Sequence, residues 1–231
     1  MGCRLVELIR ADFERFGETY RLRGQRFSRA RVWFESVLFK PGFQAVLLHR
    51  LAHWLYEHKR VYLAWSLSRL AQFLTGAEIE FNARIGPGLF IAHPAGIVVG
   101  RGTILGRHAT LLQNVTFGAA SWHPDEIGRF PVAGDNCFFC AGALILGGIR
   151  IGSNCVVAAG AVVNRDLPDG ALARGVPARV YPGRGQKLLA SWGLIERRPN
   201  NDPDARNVKV RAQGVRRRPA AVAQPASHPR P

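Results

Sequence analysis

An apolar residue recurs at every sixth position from Ala133 to Val163, through Phe139, Ile145, Ile151 and Val157. An α-helix repeats near 3.6 residues and a strand at 2, so this period belongs to neither. It calls for short parallel strands joined by tight corners, each strand one wall of a prism, which is a parallel β-helix of six-residue repeats. An earlier run keeps the same step through Ile79, Ile85 and Ile91 and then, after a two-residue slip, through Val99, Leu105, Leu111 and Phe117. Small residues often follow the apolar position (Gly86, Gly100, Gly106, Gly118, Gly134 and Gly152), as corners between flat walls require. A β-sandwich with chance spacing is the alternative, and it lacks its hairpin signals at intervals of roughly 8–12 residues.

Three parts follow along the chain. Residues 1–76 read as a helical N-terminal domain, with Leu5, Leu8, Ile9, Phe13 and Phe16 at helical spacing and an amphipathic stretch from Phe43 to Lys59 after Pro41 and Gly42. A further helix fits Val61 to Leu74, closed by Thr75 and Gly76. Residues 77–182 form the β-helix domain, with coils expected through Val180. Residues 183–231 read as a short helix, Gln186 to Glu196, and a disordered basic tail. The hexads break between Ala119 and Pro131, so Trp122, His123, Pro124, Asp125 and Glu126 must leave the coil as an excursion held by rigid neighbours.

A net charge of +16 raises a nucleic-acid reading. Much of the excess lies in the Pro- and Ala-rich tail (Arg206, Lys209, Arg211, Arg216, Arg217, Arg218, Arg230), and no basic stripe interleaved with aromatics crosses the repeats. We therefore expect no nucleic-acid partner. No apolar run approaches the ~18 residues that span a bilayer, and Met1, Gly2, Cys3 and Arg4 do not begin a secretory leader. A cytoplasmic location without membrane partners is the expectation. Cys137 and Cys140 have the spacing of a redox or metal pair. Cys137 and Cys155, however, stand three hexads apart and would stack inward as small hydrophobes.

The stretch from Phe43 to Val180 resembles the serine O-acetyltransferases of the hexapeptide-repeat superfamily. The segments that carry the likeness are PGFQAVLLHRLAHWL, FLTGAEIEFNARIGPGLFIAHPAGIVVG, LLQNVTFGA, CAGALILGGIRIG, AAGAVV and GVPARV. The resemblance implies an α+β fold, helices followed by a left-handed parallel β-helix, and O-acyl transfer from acetyl-CoA as co-substrate, with no metal. It also implies a homotrimer or a dimer of trimers, with CoA in the groove between neighbouring β-helices. The family's catalytic histidine falls on His93 and its orienting carboxylate on Glu78. The chemistry suits those residue types. An alcohol is a poor nucleophile at neutral pH, and an imidazole, with its ordinary pKa near ~6.5, can take its proton as it attacks a thioester. A carboxylate on the other ring nitrogen fixes the tautomer and stabilises the imidazolium. Small residues along the CoA track fall on Gly118, Ala119, Ala141, Gly142, Ala159 and Gly160, although corners need small residues in any case. Arg179 is placed to meet CoA phosphates or to cap the last coil.

Three features that the family uses to hold serine differ. The Arg-Asp-Pro-Ala motif of the helices has no counterpart, the aspartate before the histidine is Ala92, and the loop's Arg-His-Pro reads Arg129, Phe130 and Pro131. Two acids that would face an ammonium group are missing, and an unpaired buried charge is costly. A sugar or polysaccharide hydroxyl stacked on Trp122 and Phe130 is therefore an alternative acceptor, and His123 a substitute for the lost loop histidine. A non-catalytic trimeric scaffold is another reading. A zinc site on His93, His108 and His123, as in coil-fold carbonic anhydrases, is a further one; the three do not share a hexad register, and zinc needs convergent ligands. His49 and His53, one helical turn apart, lack the glutamate of a zincin motif.

Overall fold

The computed structural model describes residues 2–22, 28–121 and 129–196. Four helices come first: α1 (Gly2–Leu22), α2 (Arg29–Phe39), α3 (Pro41–Glu57) and α4 (Val61–Thr75). Local chemistry sets their ends. The Ser28 hydroxyl accepts from the Arg31 N–H at 3.3 Å, capping α2, and Pro41 opens α3, where its missing N–H costs nothing. At the end of α4, Gly76 takes the left-handed conformation (φ 74°), which glycine adopts without strain.

Aromatic rings join the helices to the coil. Phe13 and Phe16 of α1 meet Phe43 of α3 edge-on, at 6.3 and 5.2 Å, and Phe16 also meets Phe90 at 4.6 Å. Gly42 sits so close to the Ile91 carbonyl that a Cβ there would lie 2.0 Å from its oxygen.

The coil then runs through β1 (Glu78–Ile79), β2 (Arg84–Ile85), β3 (Phe90–Ile91), β4 (Val98–Val99) and β5 (Ile104–Leu105). It continues through β6 (Thr110–Leu111), β7 (Thr116–Gly118), β8 (Val132–Ala133), β9 (Phe138–Phe139) and β10 (Leu144–Leu146). The last strands are β11 (Arg150–Ile151), β12 (Val156–Val157), β13 (Val162–Val163), β14 (Leu172–Arg174) and β15 (Arg179–Tyr181), before helix α5 (Arg184–Ser191). They form three walls: β1-β4-β7-β10-β13, β2-β5-β8-β11, and β3-β6-β9-β12-β14-β15.

Register shows how each coil closes. Val98 pairs with Thr116, a step of three hexads, whereas Glu78 pairs with Val98 because the corner after β3 holds the two extra residues of the slip. Thr116 pairs with Leu144, the longer step that absorbs the excursion after Ala119. The hexad residues Ile79, Val99, Phe117, Ile145 and Val163 stack inside the first wall and are buried, as the six-residue period requires. Phe117 and Phe139 meet edge-on in that interior at 4.8 Å.

Cys137 and Cys155 are buried free thiols one coil apart, donating to the carbonyls of Gly152 (3.1 Å) and Pro168 (3.2 Å). The hydrogen bond with Cys155, then burial, pushes the Cys137 thiol well up.

The parallel coil stops short of the expected Val180. After β14 the chain reverses through Gly175, Val176 and Pro177, and β15 pairs antiparallel with β14, Leu172 opposite Tyr181. Pro177 has no N–H to give a continuing ladder. Helix α5 is also shifted from its expected range, running from Arg184 to Ser191, with Gly185 packed against the Ala171 carbonyl. Among the described residues no helix is long and apolar enough to cross a membrane.

Candidate active site

Each time the chain passes from the third wall to the first it makes the same corner, and backbone hydrogen bonds stack those corners. Gly96 donates to Gly76 (3.0 Å), Asn114 to Ala95 (3.0 Å), Gly142 to Gln113 (2.9 Å) and Gly160 to Ala141 (2.9 Å). Gly96, Asn114, Gly142 and Gly160 all have positive φ, from 58° to 69°, where glycine and asparagine are the residues least strained. His93 stands in the widened corner of this column, two residues beyond β3, and is exposed. Ala92 beside it is half-buried, its N–H given to Leu111 at 3.2 Å. The structure thus gathers His93, Ala141, Gly142, Ala159 and Gly160 on one edge of the first wall. A Cβ on Gly160 would meet nothing within 4 Å, so the space outside that corner is open.

Glu78 opens β1 in the coil beside that corner, its N–H bonded to the Ile97 carbonyl at 2.8 Å. Its side chain points outward, where the end of α4 takes it up. Gln72 Nε2 donates to Glu78 Oε2 at 3.0 Å, and an Arg69 guanidinium nitrogen reaches Glu78 Oε1 at 3.5 Å. The same nitrogen donates to Glu80 Oε1 at 3.0 Å, and the other terminal nitrogen donates to Gln72 Oε1 at 2.7 Å. No hydrogen bond joins Glu78 to His93 in the single chain. The expected carboxylate contact on the imidazole is not among the bonds it makes; α4 gives each carboxylate oxygen one hydrogen bond. Arg69 and Gln72 escaped the sequence reading; their signal was a cation and an amide three residues apart in the last turns before Gly76.

The remaining expected site residues lie elsewhere. Gly118 ends β7 and Ala119 follows it on the opposite edge of the first wall, where Gly147 donates to the Gly118 carbonyl at 2.9 Å. Phe130 lies against that edge too, with its ring where a Cβ on Gly100 would fall (2.4 Å). Arg129 is exposed and packs on Gly148, 3.0 Å from that glycine's Cβ position. The first wall therefore separates Arg129 and Phe130 from His93. Trp122 and His123 lie outside the described residues. Arg179 is exposed on β15 opposite Arg174, and the guanidinium groups of Arg174 and Arg184 sit 5.3 and 5.6 Å from the centre of the Tyr181 ring.

His108 belongs to another corner, against Gly88, so it does not converge with His93. Among the described residues no group of three or more His, Cys, Asp or Glu gathers as a metal site. His49 is buried with neither ring nitrogen hydrogen-bonded, and burial, then Arg50 and His53, hold its pKa well below 6.5. His53 pairs with the Phe81 carbonyl at 2.8 Å.

A family profile, bacterial transferase hexapeptide (six repeats), matches residues 134–165. A serine acetyltransferase from Synechococcus elongatus is 39% identical over 176 residues, which is 76% of this chain and 71% of that protein. The crystal structure of Neisseria gonorrhoeae serine acetyltransferase in complex with serine superposes with a TM-score of 0.67 at 34% identity, covering 77% of this chain and 69% of that one. A serine acetyltransferase in complex with CoA gives a TM-score of 0.67 at 29% identity, over 77% of this chain and 69% of that chain. On the coil, the small-residue column and this likeness over more than two thirds of each chain, the chain belongs to the serine acetyltransferase family.

Proposed function

We propose that this protein transfers the acetyl group of acetyl-CoA to the hydroxyl of serine, with His93 as the base. Relatives named for that activity, and neighbours that hold serine or CoA, support the reaction class and favour serine over a sugar acceptor or an inert scaffold. The observation that carries the assignment is the position of His93. It is exposed at the head of a column of small corners, Ala141 with Gly142 and Ala159 with Gly160, along which a pantetheine arm can lie.

The hydroxyl oxygen attacks the thioester carbonyl while His93 takes its proton. Corner N–H groups not used in the ladder are the donors for the oxyanion. Collapse breaks the carbon–sulfur bond, and the imidazolium returns the proton to the CoA thiolate. Glu78, in the neighbouring coil, steadies the imidazolium.

In this reading residues 77–182 are the acyltransferase domain, the coil is left-handed, and copies assemble as trimers. Separation of Arg129 and Phe130 from His93 by the first wall supports a shared site, in which the His93 edge of one copy faces the Gly118 edge of the next. CoA would then run past Gly118 and Ala119 of one copy and Ala141, Gly142, Ala159 and Gly160 of the other, with Arg179 near its phosphates. Ala92, beside His93, borders the acceptor pocket.

The test is direct. Purified protein is incubated with acetyl-CoA and serine, thiol release is followed, and the product is weighed by mass spectrometry. An O-acetylserine product supports the reading. Thiol release only with a sugar hydroxyl, or none with either acceptor, overturns it.

A further inference from the structure

We infer that Arg69 and Gln72 of α4 are positioning residues that set the orientation of the Glu78 carboxylate toward the His93 corner. The inference rests on the reaction proposed above. A free glutamate turns about three side-chain bonds, and only a few of its orientations serve a histidine in the next coil. Here both oxygens are held, Oε2 by Gln72 at 3.0 Å and Oε1 by Arg69 at 3.5 Å. Arg69 and Gln72 stand three residues apart, on one face of the helix, and bond each other at 2.7 Å, so the two grips act as one.

A carboxylate offers about four acceptor sites. Two are used, which leaves the others for an imidazole. The neutral Gln72 contact is the telling one, since charge balance alone would need only Arg69. Arg69 also bonds Glu80 at 3.0 Å, which relieves the repulsion between two acids on one side of the strand. The same helix terminus is tied to the histidine's corner. Gly76, which ends α4, accepts from Gly96 at 3.0 Å, three residues past His93. One rigid element therefore holds both the carboxylate and the corner that carries the base, and errors in their separation stay small.

The experiment is a kinetic cycle on the full chain with acetyl-CoA and serine. It compares Arg69→Gln, Gln72→Leu, Arg69→Lys, Glu78→Gln and the double variant Arg69→Gln/Glu78→Gln. Misplaced catalytic groups cost rate rather than affinity, so Arg69→Gln and Gln72→Leu should each lower kcat by about ten- to a hundred-fold with the KM for acetyl-CoA nearly unchanged. Arg69→Lys should recover part of the loss. The double variant should be no slower than Glu78→Gln alone, since the arginine acts only through that carboxylate. Folded Arg69→Gln and Gln72→Leu at wild-type kcat, with Glu78→Gln slowed, overturn this inference and leave the reaction standing; so do losses that multiply in the double variant. Should Arg69→Gln not fold, Gln72→Leu decides through Oε2 alone. Wild-type kcat in Glu78→Gln overturns the role of Glu78 in the reaction and this inference with it.

Discussion

Arg50 grips Asp12 with two parallel hydrogen bonds, Nε to Oδ2 at 2.8 Å and a terminal nitrogen to Oδ1 at 3.0 Å, in a place where both side chains are almost wholly buried. The pair links α3 to α1 and then reaches the coil. Arg50 donates to the carbonyls of Ile85 and Gly86, and Asp12 Oδ1 accepts from the N–H groups of Gly88 at 2.9 Å and Leu89 at 2.8 Å. The helices and the corner between β2 and β3 are thereby one polar network with every charge answered.

Removing one partner leaves the other buried and uncompensated. Asp12→Ala should destabilise the protein by about 3–5 kcal/mol, measured by urea unfolding at pH 7.5. A loss within 1 kcal/mol, of the size expected for an exposed pair (~1 kcal/mol or less), would show that the network does not hold the helices to the coil.

Gly42 makes the second tie. A methyl group there would lie 2.0 Å from the Ile91 carbonyl oxygen, so Gly42→Ala must push α3 off β3, two residues upstream of His93. Overpacking of this kind costs about 1–3 kcal/mol. The thermal midpoint and acetyl transfer should fall together, whereas an unchanged midpoint would contradict the packing described.

His93→Ala should lower kcat by roughly 10²–10⁴-fold, the ordinary contribution of a positioned general base, with the KM for acetyl-CoA little altered. Unaltered circular dichroism in the same preparation ties the loss to chemistry. Wild-type kcat in this variant would mean that another group takes the proton.

Gly160 separates a corner requirement from a substrate requirement. Its φ of 64° is matched by Asn114 at 58° in the same column, and nothing lies within 4 Å of its Cβ position. Gly160→Asn should therefore leave stability within ~1 kcal/mol, since asparagine tolerates that conformation, while raising the KM for acetyl-CoA several-fold. A variant with unchanged KM would take CoA away from this corner.

His49 predicts a pH effect on folding. Burial first, then Arg50 and His53, hold its pKa well below 6.5, so the native state refuses a proton that the unfolded chain accepts. Its contribution is intact above about pH 6.5 and is lost as pH falls through that value, by at most ~1.4 kcal/mol per unit. Between pH 7.5 and 5.5 wild type should lose more unfolding free energy than His49→Leu does. Parallel pH slopes for the two proteins would refute the assignment.

Much of this was readable from residue order, and the reason is locality. A six-residue period, a two-residue slip at Ile91 and a break after Ala119 are facts about neighbours, and each appears in the ladder as an equal step, a longer corner or a longer coil. Cys137 over Cys155 follows from the same arithmetic. The reversal after Gly175 was less visible, because GVPARV keeps an apolar rhythm while its strand runs the other way.

What the order of residues could not supply is direction across space. Which carboxylate Arg69 meets depends on how α4 crosses the first coil, and Asp12 finds Arg50 from 38 positions away. Likewise the family resemblance puts Arg129 and Phe130 at the site, yet a wall of strands stands between them and His93. Periodic apolar spacing carries the fold because burial is a property each residue has alone. Pairing of charges and the edge on which a loop returns are properties of two distant segments, and packing settles them.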